Sequence, residues 1–188
     1  MTGAVSKSVC VFCGSRNGGD ALYAEAGAAL GRGLAENGMR LVYGAGDVGI
    51  MGAVARAAQA AGGRTFGVIP VHLLKREVGK RDISQFVVTE DMHERKKVMF
   101  MNSDAVVTLP GGPGSLDELF EVLTWRQLGL HEKPVFLLNV GGYWDPLLTL
   151  IGRMVETGFA DPGFAETLEV VHDVDDLMKR LRAALSQM

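Results

Sequence analysis

Nine consecutive residues, Pro110-Gly111-Gly112-Pro113-Gly114-Ser115-Leu116-Asp117-Glu118, carry the densest chemical signal in the chain. They follow an apolar run at 105–109 and precede a helical pattern at 119–125. Glycines there let the backbone pass close to a ligand, and the free N–H groups of a helix start point at an anion, most often a phosphate. Asp117 and Glu118 read as part of the first helical turn, where acids suit the dipole. They would repel a phosphate unless they face another part of the substrate. A phosphate cradle beside a carboxylate points to chemistry on a phosphorylated molecule. A plainer reading competes, because Ser115-Leu116-Asp117-Glu118 is S-x-x-E, the pattern of a capping box. Capping accounts for Ser115 and Glu118, but not for the Pro-Gly-Gly-Pro-Gly run upstream.

Arg95 is the second chemical candidate. Met92, Arg95 and Met99 recur at i, i+3, i+7, which places the arginine on an apolar helical stripe. Such an arginine seeks a carboxylate or phosphate, and its planar fork suits either. Lys96 and Lys97 fit a solvated basic turn as well as they fit a site. Gly44-Ala45-Gly46-Asp47-Val48-Gly49 matches G-x-G-x-x-G. The following strand ends Gly67-Val68-Ile69-Pro70, with no acid for the ribose hydroxyls of a dinucleotide. Close approach to a mononucleotide, or tight helix packing, explains these glycines better. Cys10 and Cys13 lie three apart in a strand-like run and so point to opposite faces, as core thiols. His93 and His131 show no ligand spacing, so no metal is expected. No cofactor is expected either. Trp125, Tyr143 and Trp144 read as packing residues or pocket walls.

These residues hang on an alternating frame. Strands are expected at 8–13, 40–43, 64–69, 85–89, 104–109, 135–139 and 168–171. Helices are expected at 20–37, 49–61, 91–101, 115–128, 145–157 and 173–185. This alternation predicts one α/β domain over 1–188: a Rossmann-like, doubly wound, mostly parallel sheet of about seven strands with helices on both faces. Ligands in such folds bind at the carboxyl ends of strands, and three glycine-rich turns compete there: Gly14-Ser15, Gly44–Gly46 and the run at 110–118. The longest break, 70–84, carries Lys75, Arg76, Glu77, Lys80, Arg81 and Asp82 and suggests a loop over the site. Glycine reaches 25 of 188 residues, well above the average usage of about 7%. A net charge of −3 and the lack of a basic stripe argue against nucleic acid as a partner. No stretch has the pattern of a signal peptide or a membrane span, so a cytoplasmic location and no membrane partner are expected.

The chain resembles the LOG family, the cytokinin riboside 5′-monophosphate phosphoribohydrolases, long labelled lysine decarboxylases. The family pattern P-G-G-x-G-T-x-x-E matches Pro110 through Glu118, with Ser115 in place of threonine and Pro113 as a further departure. M-H-x-R-K matches Met92-His93-Glu94-Arg95-Lys96, and F-C-G-S matches Phe12-Cys13-Gly14-Ser15. Y-G-G-G-x-x-G-L-M-G is similar to Tyr43 through Gly52, and the motifs Thr124-Trp125, Gln127-Leu128-Gly129 and Leu138 through Tyr143 also fit. The resemblance implies hydrolysis of the N-glycosidic bond of a nucleoside 5′-monophosphate to free base and ribose 5-phosphate. It implies Arg95 and Glu118 as the catalytic pair. The expected binding set is Glu77, Lys96, Gly111, Gly112, Gly114, Ser115, Asp117 and Thr124, with Gly14, Ser15, Gly44 and Gly46 from the other two turns. A homodimer is implied as well. AMP is a rival substrate, and a nucleotide or cofactor carrier that breaks no bond is the rival from another class.

Overall fold

The structure, a computed structural model, describes residues 7–74 and 83–187. Its strands are β1 (Ser8–Phe12), β2 (Arg40–Tyr43), β3 (Thr65–Pro70), β4 (Gln85–Thr89), β5 (Ala105–Thr108), β6 (Val135–Leu138) and β7 (Glu169–Val171). Between them run α1 (Ala21–Glu36), α2 (Gly49–Ala60), α3 (Met92–Met101), α4 (Pro113–Gln127), α5 (Asp145–Glu156) and α6 (Val174–Ser186). The seven strands form one sheet in the order β4-β3-β2-β1-β5-β6-β7, and each described pairing is parallel.

Both faces of the sheet are covered, as strands rich in Val, Ile and Leu require. Val9, Val11 and Cys13 pack under α1, α2 and α6, against residues such as Leu30, Val54 and Leu181. Cys10 and Phe12 pack on the other face against Met99 of α3, Leu119 of α4 and Ile151 of α5. The two cysteines therefore enter different cores, both as buried free thiols. Helices α1 and α2 approach closely because Gly27 and Gly31 carry no side chain; a Cβ on Gly31 would overlap the Val54 carbonyl oxygen.

Three helices start on an aspartate. Asp20 accepts from the Leu22 N–H, Asp91 from Glu94, and Asp173 from Asp176. The fourth start differs from the S-x-x-E expectation. Gly112 is the N-cap of α4, without a side-chain cap, and Pro113 opens the first turn. Proline suits that position because its missing N–H would be unsatisfied anyway. Ser115 thus lies inside the first turn, and Asp117 and Glu118 fall in the second. The capping-box reading fails here, and Glu118 is free for other contacts.

Strand order reverses between β1 and β5, which opens a crevice at their carboxyl ends. Two backbone bonds join those ends: Leu109 N–H to the Phe12 carbonyl (2.9 Å) and Gly14 N–H to the Pro110 carbonyl (3.0 Å). Among the described residues, no helix is long and apolar enough to cross a membrane.

Candidate active site

The crevice widens into a cavity of about 770 Å³. The turn after β1 supplies Gly14, Ser15 and Arg16 to its wall, and the start of α4 supplies Gly111 through Ser115. Arg95 reaches in from α3 and Glu118 from α4. The glycine turn is tightly seated: a Cβ on Gly111 would overlap the Ser115 hydroxyl, and one on Gly14 would lie 3.4 Å from Gly111 Cα.

Arg95 and Glu118 meet inside the wall. Arg95 Nη1 donates to Glu118 Oε1 at 3.2 Å, with only 6% and 7% of the two residues exposed. Arg95 Nε also donates to the Val68 carbonyl (3.1 Å) and Nη2 to the Gly44 carbonyl (3.4 Å). The arginine is thereby fixed by two strand ends as well as by its carboxylate. Burial lifts the Glu118 carboxyl from 4.5 to about 7; Arg95 opposes that rise and Asp117 adds to it. A carboxyl poised near neutrality, beside a guanidinium and open to a cavity, is equipped for proton or charge chemistry.

Lys96 stands behind this pair, outside the cavity lining. Its ammonium donates to Asp117 (3.0 Å) and pairs with Glu121 (3.1 Å). Burial alone would lower the lysine, but the bonds to Asp117 and Glu121 raise it further than burial lowers it. Two adjacent cations of α3 thus clasp α4, one through Glu118 and one through Asp117.

Of the residues expected from the sequence, Gly14, Ser15, Arg95, Gly111, Gly112, Gly114, Ser115 and Glu118 converge on the cavity. Gly44 and Gly46 lie beside it rather than in its wall. The Gly44 carbonyl receives Arg95, and the Gly46 N–H faces the Met51 thioether at 3.1 Å. A Cβ on Gly44 would run into Arg95 Nη2. Ala45 between them holds φ at 59°, in a region that favours glycine. Thr124 is exposed near the far end of α4, and Glu77 lies outside the described residues, as does most of the charged loop. Leu73, at the start of that loop, is in the cavity wall.

Arg16, Tyr23 and Met51 are wall residues that the sequence did not single out, and Tyr143, open between packing and pocket wall, lines the cavity. Tyr143 donates its hydroxyl to the Gly111 carbonyl at 2.6 Å, and its ring meets Tyr23 edge-on with centroids 5.4 Å apart. The turn that presents it is held by Asn139, which donates to Asp145 and accepts from the Trp144 N–H, both at 2.7 Å. Its place in the matched run Leu138 through Tyr143 was the available signal. Trp125, by contrast, packs against Phe100.

A family model described as "Possible lysine decarboxylase" matches residues 51–181. LOG6 of Arabidopsis thaliana is 49% identical over 156 residues, covering 83% of this chain and 78% of its own. Arabidopsis LOG7, a cytokinin riboside 5′-monophosphate phosphoribohydrolase, is 45% identical over 175 residues, or 93% and 81% of the two chains. The chain belongs to the LOG family. The LOG motifs around Arg95 and Glu118 are the ones that meet in the cavity. Among solved structures, the Moco carrier protein of Chlamydomonas superposes with a TM-score of 0.74 at 21% identity, over 97% of this chain and 99% of that one. That likeness is one of fold.

Proposed function

We propose that this LOG-family chain hydrolyses the N-glycosidic bond of a nucleoside 5′-monophosphate, releasing the free base and ribose 5-phosphate. One observation carries the reading: a glycine turn at a helix N-terminus and a buried Arg95–Glu118 pair share one cavity wall. The turn takes the 5′-phosphate on its N–H groups. Glu118 lies six residues beyond the Gly112 cap, about 9 Å along the axis, so the ribose spans the interval. As the C1′–N bond breaks, its electron pair leaves with the base, which takes up a proton. Positive charge grows on the ribose, and the Glu118 carboxylate stabilises it. Water adds at C1′ and surrenders a proton to the Glu118 carboxylate, and that proton balances the one the departing base takes up. Arg95 keeps that carboxylate placed and sufficiently acidic to be charged.

Cytokinin riboside 5′-monophosphate, named for the relatives, is the first candidate substrate and AMP the second. Lysine decarboxylation fits poorly. Among the described residues no lysine lines the cavity, and Lys96 is tied to two carboxylates, which opposes the neutral amine a Schiff base needs. A pure carrier would leave the Arg95–Glu118 pair without a task. We further propose that the chain acts as a single α/β domain, as a homodimer, and in the cytoplasm, in keeping with its free thiols. The deciding assay compares nucleosides with their 5′-monophosphates and measures free base. Base release should require the phosphate; equal turnover of both forms would remove the phosphate cradle from the reading.

A further inference from the structure

Two cations line the cavity among the described residues, Arg95 and Arg16. They differ in commitment. Arg95 is buried and spends its donors on Glu118 and on the Val68 and Gly44 carbonyls. Arg16 is exposed, and its side chain makes no ion pair or hydrogen bond with the described protein. Its backbone, however, is firmly held. Gly49 sits at φ 64°, so close that a Cβ there would overlap Ser15 C and Arg16 N. The Gly14 carbonyl accepts from the Met51 N–H at 3.2 Å, and the Gly14 N–H binds Pro110. A clamped backbone therefore fixes an exposed arginine, unpaired among the described residues, in the cavity wall next to the glycine turn.

The charge balance of the cavity gives that guanidinium a purpose. Among the described residues, two carboxylates line the wall, Asp20 and Glu118. Asp20 caps α1 and Glu118 faces Arg95. A phosphomonoester brings a charge of about −1.5 to −2 at neutral pH. The α4 N-terminus offers roughly half an elementary charge, which does not balance it. We propose that Arg16 is a phosphate-binding residue, closing the cradle from the β1 side opposite the α4 N-terminus. This rests on the nucleotide reading above and adds to it the residue that discriminates phosphorylated from unphosphorylated substrate. Its planar fork suits two phosphate oxygens at once.

The test uses the full chain with Arg16→Gln, Arg16→Lys and a distant charge control, Arg153→Gln. For a hydrolysed monophosphate, Arg16→Gln should raise KM by about 10–100-fold, the worth of one charge-assisted bond, with kcat within about threefold. Arg16→Lys should recover part of the loss, and Arg153→Gln should match the parent. Calorimetry with ribose 5-phosphate should show the same weakening in Kd. An Arg16→Gln protein with parental KM and parental Kd for ribose 5-phosphate overturns the assignment while leaving hydrolysis intact. If the parent hydrolyses no monophosphate, the functional reading falls, and the ribose 5-phosphate titration still decides Arg16. Absence of ribose 5-phosphate binding to the parent also overturns it.

Discussion

At the scale of single residues, the site turns on one buried carboxyl. Glu118 is not a helix cap, so its charge has no structural role at the α4 start. Glu118→Gln should keep the fold and bind the monophosphate, yet lose about 10²–10³-fold in turnover, the usual loss for a preorganised electrostatic partner. Near-parental turnover in a folded Glu118→Gln protein would end its catalytic assignment. The raised carboxyl gives the same variant a second reading. Between about 4.5 and about 7, the folded protein holds a proton that the unfolded chain has released. Stability therefore falls as pH rises through that window, by about 3 kcal/mol at most. Glutamine cannot titrate, so the melting temperature of Glu118→Gln relative to the parent should be higher at pH 8 than at pH 5. A gap that does not change with pH would contradict the buried, raised carboxyl.

At the scale of elements, two glycine turns divide the work. The turn at 110–114 lines the cavity, whereas the turn at 44–46 faces Arg95. Gly44→Ala should push the guanidinium off its carbonyl seat while sparing the sheet. Misplacing a reacting group by about an ångström costs on the order of 10²-fold, so we expect that loss in kcat with far-ultraviolet dichroism unchanged. Full activity in Gly44→Ala would show that the arginine tolerates another seat. The frame was legible in the sequence because the central strands are apolar on both faces and most helices start near a glycine or aspartate signal. The α4 start was misread because S-x-x-E suggests a cap at Ser115, whereas Pro113 already fits the first turn and leaves Gly112 as the cap. Arg95 was legible as an arginine in need of an anion. Its partner, 23 residues onward and across β5, follows from topology and is named only by the family motif. Arg16 left no trace, since an exposed loop arginine has no periodicity to betray it.

At the scale of the whole molecule, the apolar positions of 119–130 are largely spent internally. Leu119, Val122 and Leu123 are core residues, and Leu128 and Leu130 remain 66% and 68% exposed. Met101, at the end of α3, is equally open at 68%. If these three contribute to the dimer contact, light scattering should give about 40 kDa, twice the 20.1 kDa chain, and Leu130→Glu should shift the mass toward one copy. A parent of about 20 kDa with full activity would refute the dimer. The strand order has a consequence for the chain's history. From β1 the sheet grows outward through β2, β3 and β4, and from β5 through β6 and β7, each strand laid beside its predecessor. One seam, β1 against β5, unites partners as distant as Ser8 and Asp104, 96 positions apart. Closing so long a loop is entropically unfavourable and slow relative to local pairing. The cavity lies on that seam, so neither half of the sheet owns the site alone. A competent site therefore exists only once the chain's most distant strand pairing has closed.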